Sequence, residues 1–545
     1  MKYVVIGGVA GGASFACRLR RLDEFAEIKI YEKSNFVSYA NCGLPYYISS
    51  TIDDKEKLTL QTPASLKARF NIDVFINSEV VEVFPNEHKI LIKNLSSAKF
   101  FYDNYDKLII ATGAEAIKIA PLSNKVFELK TVEDTLKIKS YIENNDVKTA
   151  AIIGGGFIGL EILENLVELK IKTTLIEAQN HCLANLDTEM ASLVNDELKR
   201  NGVDLRLNTL VKEIKEEKDA VVLVTEKDEI KADILIQAIG VKPASAFLKD
   251  KLKLGFRNTV ETDDNFLTSQ KDIYAIGDVT SVESLIDKKR TYIPLAGLAN
   301  KEGRELANEL IFNKHSLVNA LGTSILKLFK LEIASTGFNE AQLKAKGIKY
   351  EKIYLTPSNH ASYYPGSTLL TIKFLFNKET YDILGAQIIG ENGADKRIDI
   401  IASMMKFKIK AYQLKDLELA YAPPFGSAKD PINMIGYMVE NLKNDLIEQF
   451  YIEDIESIKK DENAILLDVR SKEEYELSHI EGSVNIPVDE LRSKLMSLDK
   501  SKKLYLICLS AIRSYIGCRI LTQRGYKCAH LAGGFRIFEL YNKIY

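Results

Sequence analysis

The stretch Ala150-Ala151-Ile152-Ile153-Gly154-Gly155-Gly156-Phe157-Ile158-Gly159 decides the fold of this 545-residue chain. The apolar residues at its start predict a strand, the glycines predict a tight turn, and the residues from Phe157 onward predict a helix. The next apolar run, Thr173–Ile176, predicts a second strand, which ends at Glu177. Strand, turn, helix and strand in this order are typical of a parallel, doubly wound α/β sheet.

The glycine turn fits the pattern GxGxxG, in which each glycine has its own physical role. Gly154 permits the tight turn, Gly156 lets a pyrophosphate approach the backbone, and Gly159 lets helix and strand pack closely. The helix N-terminus then offers N–H groups and a positive dipole end to the phosphates. Glu177 stands where a carboxylate hydrogen-bonds a ribose 2′-hydroxyl and repels a 2′-phosphate, which favours NADH over NADPH. A glycine turn that binds no nucleotide is the alternative interpretation.

The N-terminus repeats this order of elements. An apolar strand, Lys2–Ile6, is followed by the turn Gly7-Gly8-Val9-Ala10-Gly11-Gly12, and Glu32 ends the next strand. This turn departs from the pattern, because a valine occupies the position of the second glycine. Two further stretches support a nucleotide site, since each follows an apolar strand and one offers a carboxylate to polyol hydroxyls: Ala111-Thr112-Gly113 and Ala275-Ile276-Gly277-Asp278.

The composition excludes several classes of function. Lys and Arg total 73 and Asp and Glu total 75, so the net charge of −2 predicts no binding to nucleic acid or to anionic membranes. The six cysteines include no CxxC pair, which argues against a disulfide scaffold and against a structural metal site. No apolar stretch approaches the ~20 residues that span a bilayer. We therefore expect a cytoplasmic protein with reduced thiols.

The two glycine turns, taken with the strand-end motifs, resemble the pyridine nucleotide–disulfide oxidoreductase family over about residues 1–440. The resemblance implies FAD in the first unit, with Asp278 on its ribitol, and NADH in the second unit, with NADPH as the alternative. It also implies a homodimer whose active sites are shared across the interface. The cofactor-binding residues that it implies are Gly7, Ala10, Gly11, Gly12, Glu32, Lys33, Val80, Ala111, Thr112, Gly113, Gly277, Asp278, Leu295 and Ala296 for FAD, and Gly154, Gly156, Phe157, Ile158, Gly159, Glu177 and Gly240 for the nicotinamide nucleotide.

A single cysteine follows the strand that ends at Glu32. It lies in the stretch Ser38-Tyr39-Ala40-Asn41-Cys42-Gly43-Leu44-Pro45-Tyr46-Tyr47. Family members that reduce disulfides with an internal dithiol carry CxxxxC, but here the second cysteine position is Tyr47. One thiol cannot close an intramolecular disulfide, so Cys42 either forms a mixed disulfide with a small thiol or cycles through a sulfenic acid. A buried structural cysteine is the alternative interpretation.

Other residues bear on the choice between a mixed disulfide and a sulfenic acid at Cys42. Ala10 stands where the oxidase and peroxidase relatives carry a histidine, whereas Tyr363 and Tyr421 resemble the tyrosine pair of the coenzyme A-disulfide reductases. In that group the pair reaches across the dimer to the redox cysteine, and a tyrosine hydroxyl can donate a proton to a leaving thiolate. Core or turn tyrosines are the alternative. The same resemblance implies these coenzyme A-binding residues: Ser14, Arg18, Arg21, Ser38, Asn41, Asn300 and Lys429.

Helical spacing supports part of that set. Ser14, Arg18 and Arg21 fall on one face of a predicted helix, and arginines suit phosphates through their planar fork of donors. A solvated charged face is the alternative.

The C-terminal motifs Asp468-Val469-Arg470, His479–Pro487 and Cys508–Ser514 resemble a rhodanese domain over about residues 452–545. Cys508 ends a predicted strand and opens a loop into a helix, where amide N–H groups stabilise a thiolate or a persulfide. Arg513 would add positive charge at the rim. Ala511 departs from the glycine usual in the family, which puts the loop conformation in doubt. A buried strand-end thiol is the alternative for Cys508; Cys518 is interpreted as a core thiol, with a resolving role as the alternative.

Together these features predict an α/β chain with two Rossmann-like dinucleotide-binding domains, an α+β dimerisation domain and a C-terminal α/β rhodanese domain. The predicted boundaries are residues 1–113 and 245–320 for FAD, 114–244 for NAD(P)H, 321–440 for dimerisation, 441–454 as a linker and 455–545 for the rhodanese domain.

The predicted function is reduction of coenzyme A disulfide, coenzyme A persulfide or polysulfide through Cys42, coupled to sulfur transfer by Cys508. An NADH oxidase or peroxidase with a Cys42 sulfenate, and a sulfur- or redox-sensing protein without turnover, remain as alternatives.

Overall fold

The computed structural model of the chain describes residues 1–314 and 318–542. The chain forms two compact units: the first comprises Met1–Cys182 and Lys199–Gly322, and the second comprises Leu183–Leu198 and Thr323–Tyr545. Within the described residues, no helix has both the length and the apolar character needed to cross a membrane.

The elements of residues 1–320, in chain order, are β1 (Lys2–Ile6), α1 (Ala10–Arg20), β2 (Glu27–Tyr31), α2 (Leu44–Ile48), α3 (Pro63–Phe70), β3 (Asp73–Phe75), β4 (Ser78–Phe84), β5 (Lys89–Asn94), β6 (Phe100–Asn104), β7 (Lys107–Ile110), β8 (Ala114–Ala116), β9 (Val126–Glu128), α4 (Val132–Asn144), β10 (Thr149–Ile153), α5 (Phe157–Glu168), β11 (Lys172–Ile176), α6 (Thr188–Arg200), β12 (Asp204–Arg206), β13 (Glu213–Glu216), β14 (Val221–Val224), β15 (Glu229–Ala232), β16 (Ile234–Gln237), β17 (Val241–Pro243), β18 (Ile273–Ala275), β19 (Val282–Ser284), β20 (Arg290–Thr291), α7 (Ala296–Phe312) and β21 (Asn319–Ala320).

The first unit contains a parallel sheet built around the N-terminal strand. Its five strands lie in the order β18-β7-β1-β2-β3. Alternate residues of β1 point to opposite faces, so Val5 packs with Phe15 of α1 while Val4 packs with Val83 of β4. Burial on both faces explains why residues 3–6 of this strand are apolar or aromatic.

A second parallel sheet in the same unit has five strands in the order β12-β11-β10-β16-β9. The stretch Ala150–Gly159 forms strand β10, the glycine turn and the start of α5, as its pattern predicts. Two parallel sheets, each with a glycine turn between its first strand and helix, confirm the predicted pair of Rossmann-like folds.

The elements after residue 320 are β22 (Ser324–Leu328), β23 (Leu331–Gly337), α8 (Glu340–Ala345), β24 (Glu351–Leu355), β25 (Thr371–Phe376), β26 (Ile383–Gly390), α9 (Ala394–Lys406), α10 (Pro431–Lys443), β27 (Gln449–Phe450), α11 (Ile455–Ile458), β28 (Ala464–Asp468), α12 (Lys472–Leu477), β29 (Val484–Asn485), β30 (Lys503–Ile507), α13 (Ile512–Thr522), β31 (Cys528–Leu531) and α14 (Gly534–Asn542).

The second unit combines an antiparallel and a parallel sheet. The antiparallel sheet has the order β22-β23-β26-β25-β24, and the C-terminal sheet is parallel with the order β27-β31-β30-β28-β29. A small apolar cluster joins them, since Tyr354 of β24 packs with Ala532, Ile537 and Leu540. These sheets confirm the predicted α+β and C-terminal α/β folds.

The predicted linker, residues 441–454, differs from the structure. Helix α10 continues to Lys443, and Gln449–Phe450 form strand β27, which pairs with β31 at the edge of the C-terminal sheet. The polar, helix-like pattern hid this strand because its partner, Cys528–Leu531, lies much further along the chain.

The segment Leu183–Leu198 also departs from the predicted boundaries. It lies within residues 114–244, the predicted NAD(P)H domain, yet it belongs to the second compact unit. Its acidic residues face Lys373 of β25, a pairing that no local pattern in the sequence reveals.

Lys373 is the centre of a buried cluster of charges. Its Nζ lies 2.8 Å from Asp187 Oδ2 and 2.5 Å from Glu189 Oε1, and it also pairs with Glu340. Burial alone would lower the pKa of Lys373, but these carboxylates raise it well above its ordinary value. The ammonium group therefore occupies the position among the three carboxylates that a metal cation would otherwise take.

Candidate functional site

Each glycine turn connects a parallel strand to the N-terminus of a helix. At the second turn Gly154 has a φ of +106°, and a side chain there would collide with the carbonyl oxygen of Ala238. A side chain on Gly159 would collide with the carbonyl of Gly154, so α5 packs closely on β10 only with glycine. Gly156, in contrast, has open space around its Cα, which leaves room for a phosphate at the helix N-terminus.

At each glycine turn, a glutamate at the end of the neighbouring strand accepts a hydrogen bond from a backbone amide of the turn. Glu32 accepts a hydrogen bond from the amide of Gly8 at 2.8 Å, and Glu177 accepts one from the amide of Gly155 at 2.7 Å. Each carboxylate also accepts the amide two residues further along the chain. Burial raises the pKa of Glu32, although these amides oppose the shift. Both predicted ribose-binding carboxylates therefore lie against their glycine turns.

A buried acid holds the turn at Gly277 and Asp278. The amide of Gly277 donates to Glu302 Oε2 on α7 at 2.6 Å. Burial raises the pKa of Glu302 to about 7 and also raises the pKa of Asp278. The hydroxyl of Tyr292 is buried with no hydrogen-bond partner within the described residues. A desolvated carboxylate and an unpartnered hydroxyl in this unit fit a polyol ligand such as the ribitol of FAD.

Cys42 lies in a short 3₁₀ turn, Asn41–Gly43, directly before α2, and its side chain is exposed. Partial desolvation, followed by the charge of Glu161, raises the pKa of the Cys42 thiol, whereas Lys130 opposes the shift. Glu161 is itself desolvated, which raises its pKa to about 7. Oδ1 of Asn41 is buried and unpartnered within the described residues, so a polar atom next to the thiol is available to a ligand. The exposure of Cys42 does not fit a buried structural cysteine.

Three of the residues predicted to bind coenzyme A meet where α1 packs on α7. Ser14 Oγ donates to Asn300 Oδ1 at 2.6 Å, and Arg18 Nε donates to Asn308 Oδ1 at 2.9 Å. Arg21 lies over the ring of Phe70, with its Cζ 6.0 Å from the ring centroid. Helical spacing places the α1 residues on one face, but only the packing of α7 supplies the amides beside them.

The predicted tyrosines lie side by side in the second unit. Tyr363 Oη and Tyr421 Oη are 2.8 Å apart, and the two residues are 75% and 48% exposed. The hydrogen bond to Tyr421 raises the pKa of Tyr363. Two exposed hydroxyls in contact do not fit core tyrosines, whereas Tyr363 does lie in a turn.

The other predicted ligand residues lie at the ends of elements, apart from Val80, which is buried in β4. In the first unit they are Gly7, Ala10, Gly11 and Gly12 around the start of α1, Lys33 and Ser38 after β2, Ala111, Thr112 and Gly113 after β7, Phe157 and Ile158 at the start of α5, Gly240 after β16, and Leu295 and Ala296 at the start of α7. Lys429 is exposed just before α10 in the second unit.

Cys508 directly follows β30 and is 1% exposed, with its Sγ 3.3 Å from Oγ of Ser514 on α13. Its carbonyl accepts a hydrogen bond from the amide of Phe535 at 2.8 Å. No acceptor in the described part of the chain engages the amide N–H groups of residues 510–513. Free amides at a helix N-terminus beside a sulfur fit a loop that stabilises a thiolate or persulfide.

Arg513, which was predicted to add positive charge at the rim of the loop, is paired with a carboxylate. Its Nη1 and Nη2 donate to Oε2 and Oε1 of Glu474 at 2.5 and 2.7 Å. This hydrogen bonding lowers the pKa of Glu474 to about 2, so the pair is ionised at neutral pH. The sequence could not show this neutralisation, because Glu474 lies on α12, far from the loop along the chain.

Ala511 takes a left-handed conformation, with φ +71° and ψ −15°, at the start of α13. An L-residue has a steric cost in this conformation that glycine does not have.

Ala511→Gly is therefore expected to raise the free energy of unfolding of the C-terminal domain by about 0.5–1 kcal/mol. Urea denaturation measures the change. Ala464→Gly, in strand β28, is the matched control and should lower it by a similar amount; equal losses in both variants would contradict the prediction.

Sequence reasoning did not select three acids that the structure places beside predicted site residues: Glu161, Glu302 and Glu474. Glu161 and Glu302 gave no local signal, because each is one of three glutamates on its helix. Glu474 gave no such signal, because its role depends entirely on contact with Arg513.

Three segments of the chain match family models. Residues 1–303 match the pyridine nucleotide-disulphide oxidoreductase model, residues 323–430 match the dimerisation domain of that family, and residues 452–539 match the rhodanese-like domain. These matches confirm the resemblance that the sequence motifs indicated.

Relatives match over most or all of the chain. The coenzyme A disulfide reductase of Staphylococcus haemolyticus is 34% identical over 445 residues, which cover 81% of this chain and all of the relative. Reduced CoADR-RHD from Bacillus anthracis has a TM-score of 0.96 and 41% identity, over 99% of this chain and 98% of that one. A NAD-dependent persulfide reductase from A. fulgidus has a TM-score of 0.90 and 32% identity, over 99% of this chain and 100% of that one.

Proposed function

The chain belongs to the pyridine nucleotide-disulphide oxidoreductase family, and on this basis we propose that it is a flavin-dependent reductase of coenzyme A disulfide, coenzyme A persulfide or polysulfide. NADH is the proposed reductant, because the carboxylate of Glu177 repels a 2′-phosphate. The observation that carries the proposal is the exposed thiol of Cys42, which has no second cysteine at CxxxxC spacing. The relatives named as coenzyme A disulfide and persulfide reductases support the choice of substrates.

The cofactors fit the two glycine turns. Glu32, Asp278 and the N-terminus of α1 would hold FAD, whereas Gly156 and Glu177 would hold NADH. When bound, FAD supplies the passage of an electron pair from NADH to a disulfide at Cys42.

The proposed resting form of the enzyme is a mixed disulfide between Cys42 and coenzyme A. Two electrons break this S–S bond and leave two thiolates, one on Cys42 and one on coenzyme A. Ser14 and Arg18 of α1, with Asn300 of α7, would bind the coenzyme. In a homodimer, the partner subunit's Tyr363 would donate a hydrogen bond to the leaving sulfur, supported in turn by the partner subunit's Tyr421.

Cys508 is the proposed second sulfur centre. Its thiolate would accept or deliver sulfane sulfur, stabilised by the amides of residues 510–513. No disulfide joins two of the six cysteines, all of which the structure describes, and this suits a protein of the reducing cytoplasm.

Peptide mass analysis tests the proposal. The purified full-length protein is digested without reductant, and the tryptic peptide Ser34–Lys55, which contains Cys42, is expected to carry the mass of coenzyme A and to lose it on reduction. A sulfenic or sulfinic acid on this peptide, without any thiol adduct, would support an oxidase or peroxidase instead. The purified protein should be yellow and should bleach rapidly with NADH; slow bleaching would support a sensor.

A further inference from the structure

We propose that the Cys508 loop takes sulfur from the persulfide of an uncharged organic thiol, and that Glu474 excludes small dianionic donors such as thiosulfate. The inference deepens the proposed function and rests on the role of Cys508 in sulfur transfer. It assigns to Glu474 a role in substrate specificity, through the arginine that it neutralises.

The charges around the loop carry the first part of the argument. A dianionic donor needs an unopposed cation near the sulfur, and Arg513 is close enough to Cys508 for their charges to interact. The bidentate pair with Glu474 removes that cation, since both guanidinium nitrogens at its end are engaged. Arg470 is likewise paired, at 2.7 Å, with the buried carboxylate of Asp468.

A third arginine near the loop, Arg536 on α14, is half-buried. The amide of Arg536 donates to the carbonyl of Leu509 at 3.1 Å, which brings this residue beside the loop. Burial lowers the pKa of Arg536, and the carboxylate of Glu539 lies near enough to oppose its charge. Two of the arginines near the loop, Arg513 and Arg470, are therefore held in ion pairs.

The exposed apolar side chains carry the second part. Leu509, Ile512 and Ile516 are 41%, 54% and 42% exposed. Leu509 is the residue after Cys508, and Ile512 and Ile516 lie four residues apart on one face of α13. Exposed apolar side chains on the Cys508 loop and on α13 favour an uncharged ligand and penalise a dianion, which must give up its water to approach them.

The chemical step is a sulfur transfer without net oxidation. The Cys508 thiolate attacks the outer, sulfane sulfur of the donor R–S–SH, the donor S–S bond breaks, and R–S⁻ leaves, so that Cys508 becomes a persulfide. With cyanide as acceptor, that outer sulfur leaves as thiocyanate and the Cys508 thiolate is restored.

Thiocyanate formation by the full-length protein tests the inference, with pantetheine persulfide and sodium thiosulfate as donors. The wild type should use pantetheine persulfide in preference to thiosulfate. Glu474→Gln should raise kcat/KM for thiosulfate about tenfold, because it unmasks Arg513. It should leave kcat/KM for pantetheine persulfide within about twofold, and glutamine preserves the capping box with Ser471.

Three further variants control the result. Glu473→Gln removes the same charge one residue away on α12, where there is no contact with Arg513, and should match the wild type. The double variant Glu474→Gln, Arg513→Gln should lose the gain with thiosulfate. Ser510→Lys adds an unpaired cation without touching α12, so it should raise thiosulfate use even if Glu474→Gln fails to fold.

Each outcome has one meaning. Efficient use of thiosulfate by the wild type, or no gain in either Glu474→Gln or Ser510→Lys, would overturn the role of Glu474 and leave Cys508 as the sulfur centre. Equal thiocyanate formation from pantetheine persulfide by Cys508→Ser and the wild type would instead refute the proposed sulfur transfer and, with it, this inference.

Discussion

Cys42→Ser is expected to lower NADH-dependent reduction of coenzyme A disulfide by at least about 10³-fold. Serine has nearly the size of cysteine but cannot form a mixed disulfide, so the electron pair has no S–S bond to break. Sulfur transfer by Cys508 should stay within about twofold of the wild type, because that thiol lies in the other unit of the fold. Steady-state NADH oxidation and thiocyanate formation measure the two activities on the same preparation.

Cys17→Ser is the matched control for this variant. Cys17 lies half-buried on α1 in the same unit, whereas Cys42 is exposed, so a disulfide substrate reaches the thiol of Cys17 less readily. Its replacement should leave NADH-dependent reduction nearly unchanged. Wild-type turnover by Cys42→Ser, or loss of turnover in Cys17→Ser with FAD still bound, would show that Cys42 is not the redox cysteine.

Lys373→Met is expected to lower the free energy of unfolding by about 3–5 kcal/mol. Methionine fills similar space, but the carboxylates of Asp187, Glu189 and Glu340 lose the ammonium group that pairs with all three. The three acids must then repel one another or take up protons as they remain buried. Urea denaturation at pH 7 measures the loss, and a smaller loss at lower pH is expected because protonation relieves the repulsion.

Lys344→Met tests whether this loss comes from burial. Lys344 also contacts Glu340, at 3.5 Å, but its side chain is 63% exposed, so the change should be under about 0.5 kcal/mol. Glu189→Gln in the Lys373→Met background should recover part of the stability, because it removes one unpaired charge. A loss of less than 1 kcal/mol for Lys373→Met would contradict a structural role for the cluster.

Much of the fold could be predicted because its signals are local. The turn Gly154–Gly159 requires glycine for reasons that act within a few residues, and the apolar runs before and after it identify buried parallel strands. The same holds for Glu32 and Glu177, whose positions at strand ends follow from the order of elements alone. Cys42 was identifiable for the opposite reason, since a second cysteine is missing at CxxxxC spacing.

Features that join distant segments could not be predicted in this way. Strand β27 was hidden because its pairing partner, β31, follows many residues later, and only the hydrogen-bonded register identifies it as a strand. The approach of Tyr363 and Tyr421 to 2.8 Å likewise depends on two loops meeting in space. Arg513 showed the largest difference, since its sequence context indicates a free cation and its contacts show a neutral pair.

The sequence by itself determined the two glycine turns, the solitary thiol at Cys42 and the cysteine loop at Cys508, since each depends on residues that are close together along the chain. Only the tertiary structure decided which charges remain unopposed. It buried Lys373 among carboxylates and paired Arg513 with Glu474. The physical reason is that the strength of a charge depends on its neighbours and on its exposure to water, and both are set by contacts between segments far apart in sequence.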